Sequence, residues 1–367
     1  MSDILISGYY GFKNSGDDAL LLAIVQDLKK YKSDVSLEVL SKTPEETEAV
    51  YGVKAINRMN PFAVIGGIIR CKMLLSGGGT LIQDGTSTKS LLYYLTIIKT
   101  AHLFGKKVML YSNGIGPLRE EHRKMTRKVL NKADIITLRD EASLNELKSL
   151  GVDKPEIILT ADSAFDIECK TGGENILKML GIFPDEKYVC FSVRSWKKAN
   201  DNFCDEIAAA ADYIIDKYKY KVLFLPMQPE RDSDVTHRIQ KLMKNKSMCL
   251  DGRNKIEDIM AVIGKAEFCI GMRLHSLIYA VGSKVPVIGI VYDAKVAGFM
   301  DYIKQKYYID AENISSTELI KVIDECIPRL PQIKKEIGES LVSLKEKAEL
   351  NAEYAIKLLN DERGRRS

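Results

Sequence analysis

Arg273 and His275 stand two residues apart, just past the apolar run Phe268-Cys269-Ile270. Alternation along an extended segment puts both side chains on one side. A helix expected from Ser276 adds main-chain N–H donors there, and helix N-termini favour anions. A cation and an imidazole beside such donors can hold an anionic substrate and move a proton near neutral pH. The alternative is a structural salt bridge for Arg273 and a hydrogen-bonded packing role for His275. Lys295 follows the next apolar strand, which in a parallel sheet sets it beside this pair, although a surface lysine is the ordinary reading. Arg139 follows Ile135-Ile136-Thr137-Leu138 and either reaches the same ligand or pairs locally with Asp140 or Glu141. Arg194 and Trp196 either bind a ligand by charge and stacking or pack between domains.

A second group gathers around glycines. The segment from Gly8 to Gly16 follows a strand and opens a helix, yet it fits neither GxGxxG nor the GK[ST] ending of a P-loop, which argues against NAD. Gly77-Gly78-Gly79 either makes a tight turn or lets backbone amides approach a ligand closely. Asp17 is a candidate base or ligand for a sugar hydroxyl. Asp17 and Asp18 also suit a helix N-terminus, and Asp18 is read as a cap. Asn113 ends another apolar strand. The seven cysteines form no CxxC pair and the four histidines show no metal-ligand spacing, so reduced, buried cysteines and no metal are expected.

These residues need a scaffold, and the chain alternates strand, loop and helix almost throughout. Strands are expected at 3–8, 36–40, 73–76, 108–112, 135–138 and 157–160, then at 188–193, 222–225, 248–250, 268–270, 286–291 and 307–309. Helices are expected at 17–31, 45–50, 61–70, 88–104, 120–132 and 141–149, then at 201–218, 231–244, 255–264, 276–282, 316–325 and 331–360. Short apolar strands between helices imply right-handed βαβ units and parallel sheets covered on both faces. The pattern restarts after a polar junction, which divides the chain into α/β domains at 1–170 and 171–330. A long helix within 331–367 closes it and is expected to pack back on the first domain. Ligands of open α/β sheets bind beyond the carboxyl ends of the strands. Glycines, cations, Asp162, Asp251 and the single tryptophan collect at those ends, which argues for a cleft between the domains.

With 367 residues, 46% of them hydrophobic, the chain has material for two cores. A net charge of +4 is too mild to argue for nucleic acid. No export signal is read at the N-terminus, and no apolar run approaches the ~20 residues of a membrane span. Residues 91–104, interrupted by Lys99 and His102, read as a buried helix. The tail Arg363-Gly364-Arg365-Arg366 reads as a solvated end or as a contact with an anionic membrane surface.

Several segments in order resemble the polysaccharide pyruvyl transferase family, specifically its CsaB type. They are GYYGFKNSGDDAL (8–20), SGGGTLIQD (76–84), NGIGPL (113–118), LRDEAS (138–143), TADSAF (160–165), SVRSW (192–196), GMRLHSL (271–277) and VYDAK (291–295). Lys13 stands where this family commonly has glycine, and Ser112-Asn113 where Gly-Gln is common. The resemblance implies two Rossmann-like domains facing across a cleft, as in GT-B glycosyltransferases. It implies phosphoenolpyruvate as donor, phosphate as leaving group and a 4,6-ketal of pyruvate as product. The implied acceptor is a β-linked N-acetylmannosamine in a lipid-linked precursor of a secondary cell-wall polymer, whose pyruvylated form anchors S-layer-type surface proteins. A cytoplasmic enzyme follows, with peripheral membrane contact, no nucleic-acid partner and no cofactor beyond the phosphoenolpyruvate co-substrate.

On that basis His275 and Asp17 are the expected catalytic residues. Arg139, Arg273, Lys295 and Arg194 bind the donor, while Asp17, Gly78 and Asn113 line the acceptor side. Two rivals use the same cleft: a nucleotide-sugar glycosyltransferase and a non-catalytic binding protein for anionic sugars. Residues 276–292 contain no Asp or Glu to hold a ribose, which counts against the first.

Overall fold

A computed structural model of the protein describes residues 2–85, 87–167, 172–196, 198–250 and 254–361. The expected boundary at 170/171, Cys169, Asp251 and the basic tail lie outside the described residues. The chain forms two compact units, Met1–Ile167 with Leu344–Ser367, and Glu168–Ser343.

The first unit is built on seven parallel strands: β1 (Ile4–Tyr10), β2 (Leu37–Ser41), β3 (Lys54–Asn57), β4 (Met73–Gly77), β5 (Lys107–Asn113), β6 (Ile135–Leu138) and β7 (Glu156–Leu159). Their order is β3-β2-β1-β4-β5-β6-β7. Period-two alternation divides the core between the two faces. Leu5, Leu74, Val108, Leu110 and Ile136 pack on one side. Ile4, Ile6, Met73, Leu75, Met109 and Ile135 pack on the other. The short strand β3 was not expected. It is a polar edge strand whose Lys54 and Asn57 are exposed, so it carries no apolar run.

Helix Thr88–Leu103 corrects the expectation of a buried helix. Leu91, Tyr94, Leu95, Ile97, Ile98 and Ala101 are buried, but Leu92, Leu103 and the following Phe104 are exposed. The closing helix Leu330–Asn360 supplies residues of its C-terminal half to the first unit. Ala348, Asn351, Ala352 and Ala355 are fully buried, and small side chains let the helix lie close to the sheet. Asn351 accepts a hydrogen bond from the Thr160 hydroxyl (2.9 Å) and donates to the Ala161 carbonyl (3.2 Å). Lys107 donates to the Leu358 carbonyl at 2.7 Å in the last turn, where that oxygen also accepts from the Asp361 N–H (3.2 Å).

Beneath the same face, helix Ser15–Tyr31 buries Asp27, which accepts a hydrogen bond from the Tyr111 hydroxyl (3.3 Å) and faces Asp166. Burial and the Asp166 carboxylate push Asp27 up to about 8. Between the ordinary carboxylate range and about 8, the folded state therefore holds a proton that the unfolded chain has released. This contribution to stability is complete at the acid end and is lost as pH rises through about 8. The D27N protein should show a smaller fall in Tm from about pH 5 to about pH 8 than the wild type, which a pH series of thermal melts measures.

The second unit has six parallel strands: β8 (Tyr188–Ser192), β9 (Lys221–Phe224), β10 (Met248–Cys249), β11 (Cys269–Gly271), β12 (Val287–Val291) and β13 (Tyr308–Asp310). Their order is β10-β9-β8-β11-β12-β13. Each sheet reverses its winding once, between β1 and β4 in the first and between β8 and β11 in the second. Helices Glu174–Met179 and Ala294–Tyr302 are additional to those expected.

Candidate active site

In each unit the candidate residues sit at the carboxyl ends of the strands, at the reversal point and on the strands next to it, where open α/β sheets bind ligands. In the first unit β1 shifts register between Ser7 and Tyr10, and this bulge turns Tyr10 inward. The fully buried Tyr10 hydroxyl donates to the Gly77 carbonyl at 2.7 Å, tying the β1 and β4 ends together. Its ring lies across Gly8, where a Cβ would come within 2.3 Å of it, so only glycine fits. Gly78 and Gly79 are buried and adopt φ of 112° and 56°. Asp17 stands in the first turn of helix Ser15–Tyr31, with Oδ1 3.4 Å from where a Gly79 Cβ would be. Asp17 and Gly78 thus belong to one small locus.

The cap of that helix is neither aspartate. Asn14 accepts from the Gly16 N–H at 3.2 Å, while Asp18 lies a turn inside and burial pushes it up to about 7. Lys13 just before it has φ 52° and an exposed side chain. A left-handed L-residue costs roughly 1 kcal/mol, so K13G should raise stability by about that amount in urea titrations. Ser112, the other departure from glycine, has φ 50° within a register shift of β5. Its hydroxyl donates to the Ala161 carbonyl (3.0 Å) and accepts from the Ser163 N–H (3.2 Å), which offsets the strain.

Two residues of this unit expected to bind ligand, Asn113 on the acceptor side and Arg139 for the donor, have other partners. Asn113 is fully buried, and its amide donates to the carbonyls of Ser76 and Tyr111, both at 2.8 Å. It ties the ends of β4 and β5 rather than presenting its donors outward. Arg139 is 6% exposed. Its Nη1 meets Asp162 at 2.9 Å, Nε meets Asp140 at 3.4 Å and Nη2 meets the Thr80 hydroxyl at 3.1 Å. Burial alone would lower its pKa, but the Asp162 and Asp140 carboxylates outweigh it and hold the guanidinium above its usual range. The local pairing with Asp140 is therefore present, enlarged by Asp162, and the charge is balanced within the unit.

The sequence reading missed Arg58, which follows β3. It is 7% exposed and donates to the Gly8 carbonyl and to the Tyr94 hydroxyl (3.3 Å). Tyr93 lies 4.5 Å from its guanidinium carbon, and Phe12 and Tyr9 complete an aromatic enclosure. No carboxylate pairs with it among the described residues. Cation–π attraction in place of a counter-ion fixes the Gly8 loop.

In the second unit the alternation argument fails. The helix after β11 begins at Leu274, so Arg273 is its N-cap residue and His275 lies in its first turn. Arg273 reaches back to Asp232 with two nitrogens, Nε at 3.0 Å and Nη2 in closer contact, and Asp232 is fully buried. The salt-bridge alternative for Arg273 holds, and it fixes the guanidinium at the strand ends. His275 is half-buried, its ring 6.1 Å from that of Tyr279. After β12, Asp293 caps helix Ala294–Tyr302 by accepting from the N–H groups of Lys295 (3.1 Å) and Val296 (3.2 Å). Lys295 is half-buried in that first turn.

Arg194 follows β8. It donates to the Tyr292 hydroxyl at 2.9 Å and lies 4.8 Å from that ring, with Trp196 edge-on to the same ring at 6.4 Å. Burial raises the Tyr292 pKa and Asp293 adds to this, while Arg194 and Arg273 oppose it, so both guanidiniums share its surroundings. Adjacent strands β8, β11 and β12 thus bring Arg194, Arg273, His275 and Lys295 to one sheet edge, with two helix N-termini. Helix N-termini and cations together suit an anion. Tyr292, Gln228 and Asp232 organise this edge, and Asp232, in helix Pro229–Leu242, is the one that sequence reasoning missed. A cavity of about 760 Å³ lined by Lys265, Lys284 and Pro286 lies at the opposite, amino-terminal end of these strands.

Solved structures share this architecture. The UDP-GlcNAc 2-epimerase of Neisseria meningitidis bound to UDP-GlcNAc aligns with TM-score 0.67 at 12% identity, over 97% of this chain and 100% of that one. The S. aureus MnaA–UDP complex aligns at 0.68 and 13%, over 98% of each chain. Anabaena Alr3699/HepE with UDP-glucose aligns at 0.65 and 11%, over 97% and 100%. At such identities the likeness carries the fold alone, which is GT-B-like. In sequence, the amylovoran biosynthesis protein AmsJ of Erwinia amylovora is 20% identical across 92% of this chain and 95% of its own length. The polysaccharide pyruvyl transferase family matches residues 14–294. That span runs from the cap of the first helix to the first residue of helix Ala294–Tyr302 and takes in Asp17, Gly78, Arg194, Arg273 and His275: the chain belongs to the polysaccharide pyruvyl transferase family.

Proposed function

We propose that the protein transfers pyruvate from phosphoenolpyruvate to a sugar of a lipid-linked cell-wall glycan precursor, forming a 4,6-ketal and releasing phosphate. The acceptor sugar in this proposal is a β-linked N-acetylmannosamine, as in the CsaB type. The observation that carries it is the edge of the second sheet, where Arg194, Arg273, His275 and Lys295 follow adjacent strands beside two helix N-termini. Phosphoenolpyruvate has two anionic groups, and a site for it needs more than one cation. His275 delivers a proton to C3 of the enol, which makes C2 electrophilic. One sugar hydroxyl adds to C2, the C2–O bond to phosphate breaks, and the second hydroxyl closes the ketal. Of the two hydroxyl protons released, one restores His275 and the other leaves with phosphate. Asp17 receives a hydroxyl proton or holds the sugar beside Gly78. Asn113 and Arg139 keep the loops of that locus in place.

The working location is the cytoplasmic side of a membrane carrying the lipid-linked precursor. No helix among the described residues is long and apolar enough to cross a membrane. The test is phosphate release from phosphoenolpyruvate with a synthetic lipid-linked N-acetylmannosaminyl-N-acetylglucosamine, with mass spectrometry of the product. A ketal on the mannosamine supports the proposal, whereas turnover only with galactose, glucose or mannose acceptors would replace the acceptor. Lys295→Ala should raise the phosphoenolpyruvate KM on the order of 10- to 100-fold, the loss of one charge-assisted hydrogen bond. Unchanged donor kinetics would remove Lys295 from the site.

A further inference from the structure

The first unit presents an apolar face. Helix Pro61–Arg70 buries Val64, Gly67 and Ile68 against the sheet and turns Phe62, Ile65 and Ile69 outward, Phe62 being 85% exposed. Helix Thr88–Leu103 packs beside it and shows Leu92 and Leu103 on its outer side. Among the described residues, half of the large exposed apolar side chains fall between positions 59 and 104, which makes this a patch rather than scatter.

Charge sets the patch apart further. Between Glu48 and Glu120 the chain carries nine Lys and Arg and one acid, Asp84. Asp84 is 2% exposed and is held by His122 at 2.6 Å, so it offers nothing to the surface. Arg70 and Lys72 pair with Glu38 and Asp3, but Lys89 and Lys99 are exposed and form no ion pair with a described residue. An outward apolar stripe flanked by cations is the arrangement that lies in a membrane interface. A second copy of the chain on the same face would set cations against cations, which disfavours a symmetric pair.

We infer that the outer face of helices Pro61–Arg70 and Thr88–Leu103 docks on the surface of an anionic lipid bilayer. The face also adjoins the acceptor locus. The inner side of the second helix carries Tyr94, whose hydroxyl meets Arg58, and Arg58 holds the Gly8 carbonyl. A sugar hanging from a lipid at this face therefore has a short path to the Gly8 loop. The inference deepens the lipid-linked acceptor reading, but its readout is binding, so it stands or falls apart from turnover.

The experiment is flotation of the whole protein with vesicles of phosphatidylcholine alone and of phosphatidylcholine mixed with phosphatidylglycerol, at low and high salt. The wild type is expected to float with the anionic vesicles and to be released by salt. Phe62→Glu with Ile69→Glu should weaken partition by tenfold or more. Lys89→Glu with Lys99→Glu should abolish the preference for phosphatidylglycerol. These side chains are exposed, and far-ultraviolet circular dichroism checks that each variant is folded. Three outcomes would overturn the inference: no flotation of the wild type, flotation unchanged in both variants, or a lipid-free dimer that the Phe62 and Ile69 substitutions dissociate.

Discussion

Replacing His275 with alanine is expected to lower turnover by roughly 10²- to 10⁴-fold, the range of general acid–base catalysis, while leaving the protein folded. The imidazole is half-buried in the first turn of helix Leu274–Gly282, so its loss opens no core cavity. The proposed chemistry asks it for a proton at C3 of the donor and for nothing in ground-state binding. The loss should therefore fall on kcat, with the phosphoenolpyruvate KM little changed. Phosphate release under single-turnover conditions measures this directly. A folded H275A protein with near-wild-type turnover would place the proton donor elsewhere.

The second large effect is expected at Asp232, a residue without a direct part in the reaction. It is fully buried, receives two nitrogens of Arg273 and accepts the Gln228 N–H at 2.8 Å. Breaking a buried pair by removing one charge costs about 3–5 kcal/mol, because the other charge stays behind without compensation. Arg273 is less enclosed than Asp232. Asp232→Asn should therefore destabilise the second unit by about 3 kcal/mol, read from urea midpoints. It should also raise the donor KM, because the guanidinium loses the carboxylate that aims it. Asp232→Ala combined with Arg273→Met should recover stability without recovering donor binding. A D232N protein with wild-type stability would show that the pair contributes nothing to the fold.

How far the sequence could be read depended on burial. Strands covered on both faces appear as unbroken apolar runs, and Ile4-Leu5-Ile6 and Met73-Leu74-Leu75 were legible for that reason. Strand β3, half-exposed at a sheet edge, gives no such run, and with it went the significance of Arg58. The importance of Arg58 depends on Tyr93 and Tyr94, some 35 residues away, and only tertiary structure brings them together. Helix Ala294–Tyr302 escaped notice because Gly298 interrupts an otherwise ordinary helical pattern. The locations of Arg273, His275 and Lys295 at strand ends were visible, but what holds them was not. Asp232 belongs to a helix 41 residues upstream of Arg273, and a one-dimensional pattern does not pair them. The same is true of Arg139 and Asp162. Lys13 and Ser112 were legible as departures from glycine, and the structure gives the physical reason in their left-handed backbones.

The polypeptide leaves the first unit at residue 167 and rejoins it at 344. Ala352 and Ala355 belong to the same apolar cluster as Ile4, Ile6 and Met109. During synthesis the first unit thus emerges from the ribosome with one sheet face covered only in part, by helix Ser15–Tyr31. It stays so until the entire second unit and the following helix have been translated. A chain arrested before residue 344 presents that face to chaperones and to other nascent chains, and it cannot reach the native packing of its own N-terminal strands. Completion of this core is in this sense a late, post-translational event, although its strands are the first to be made.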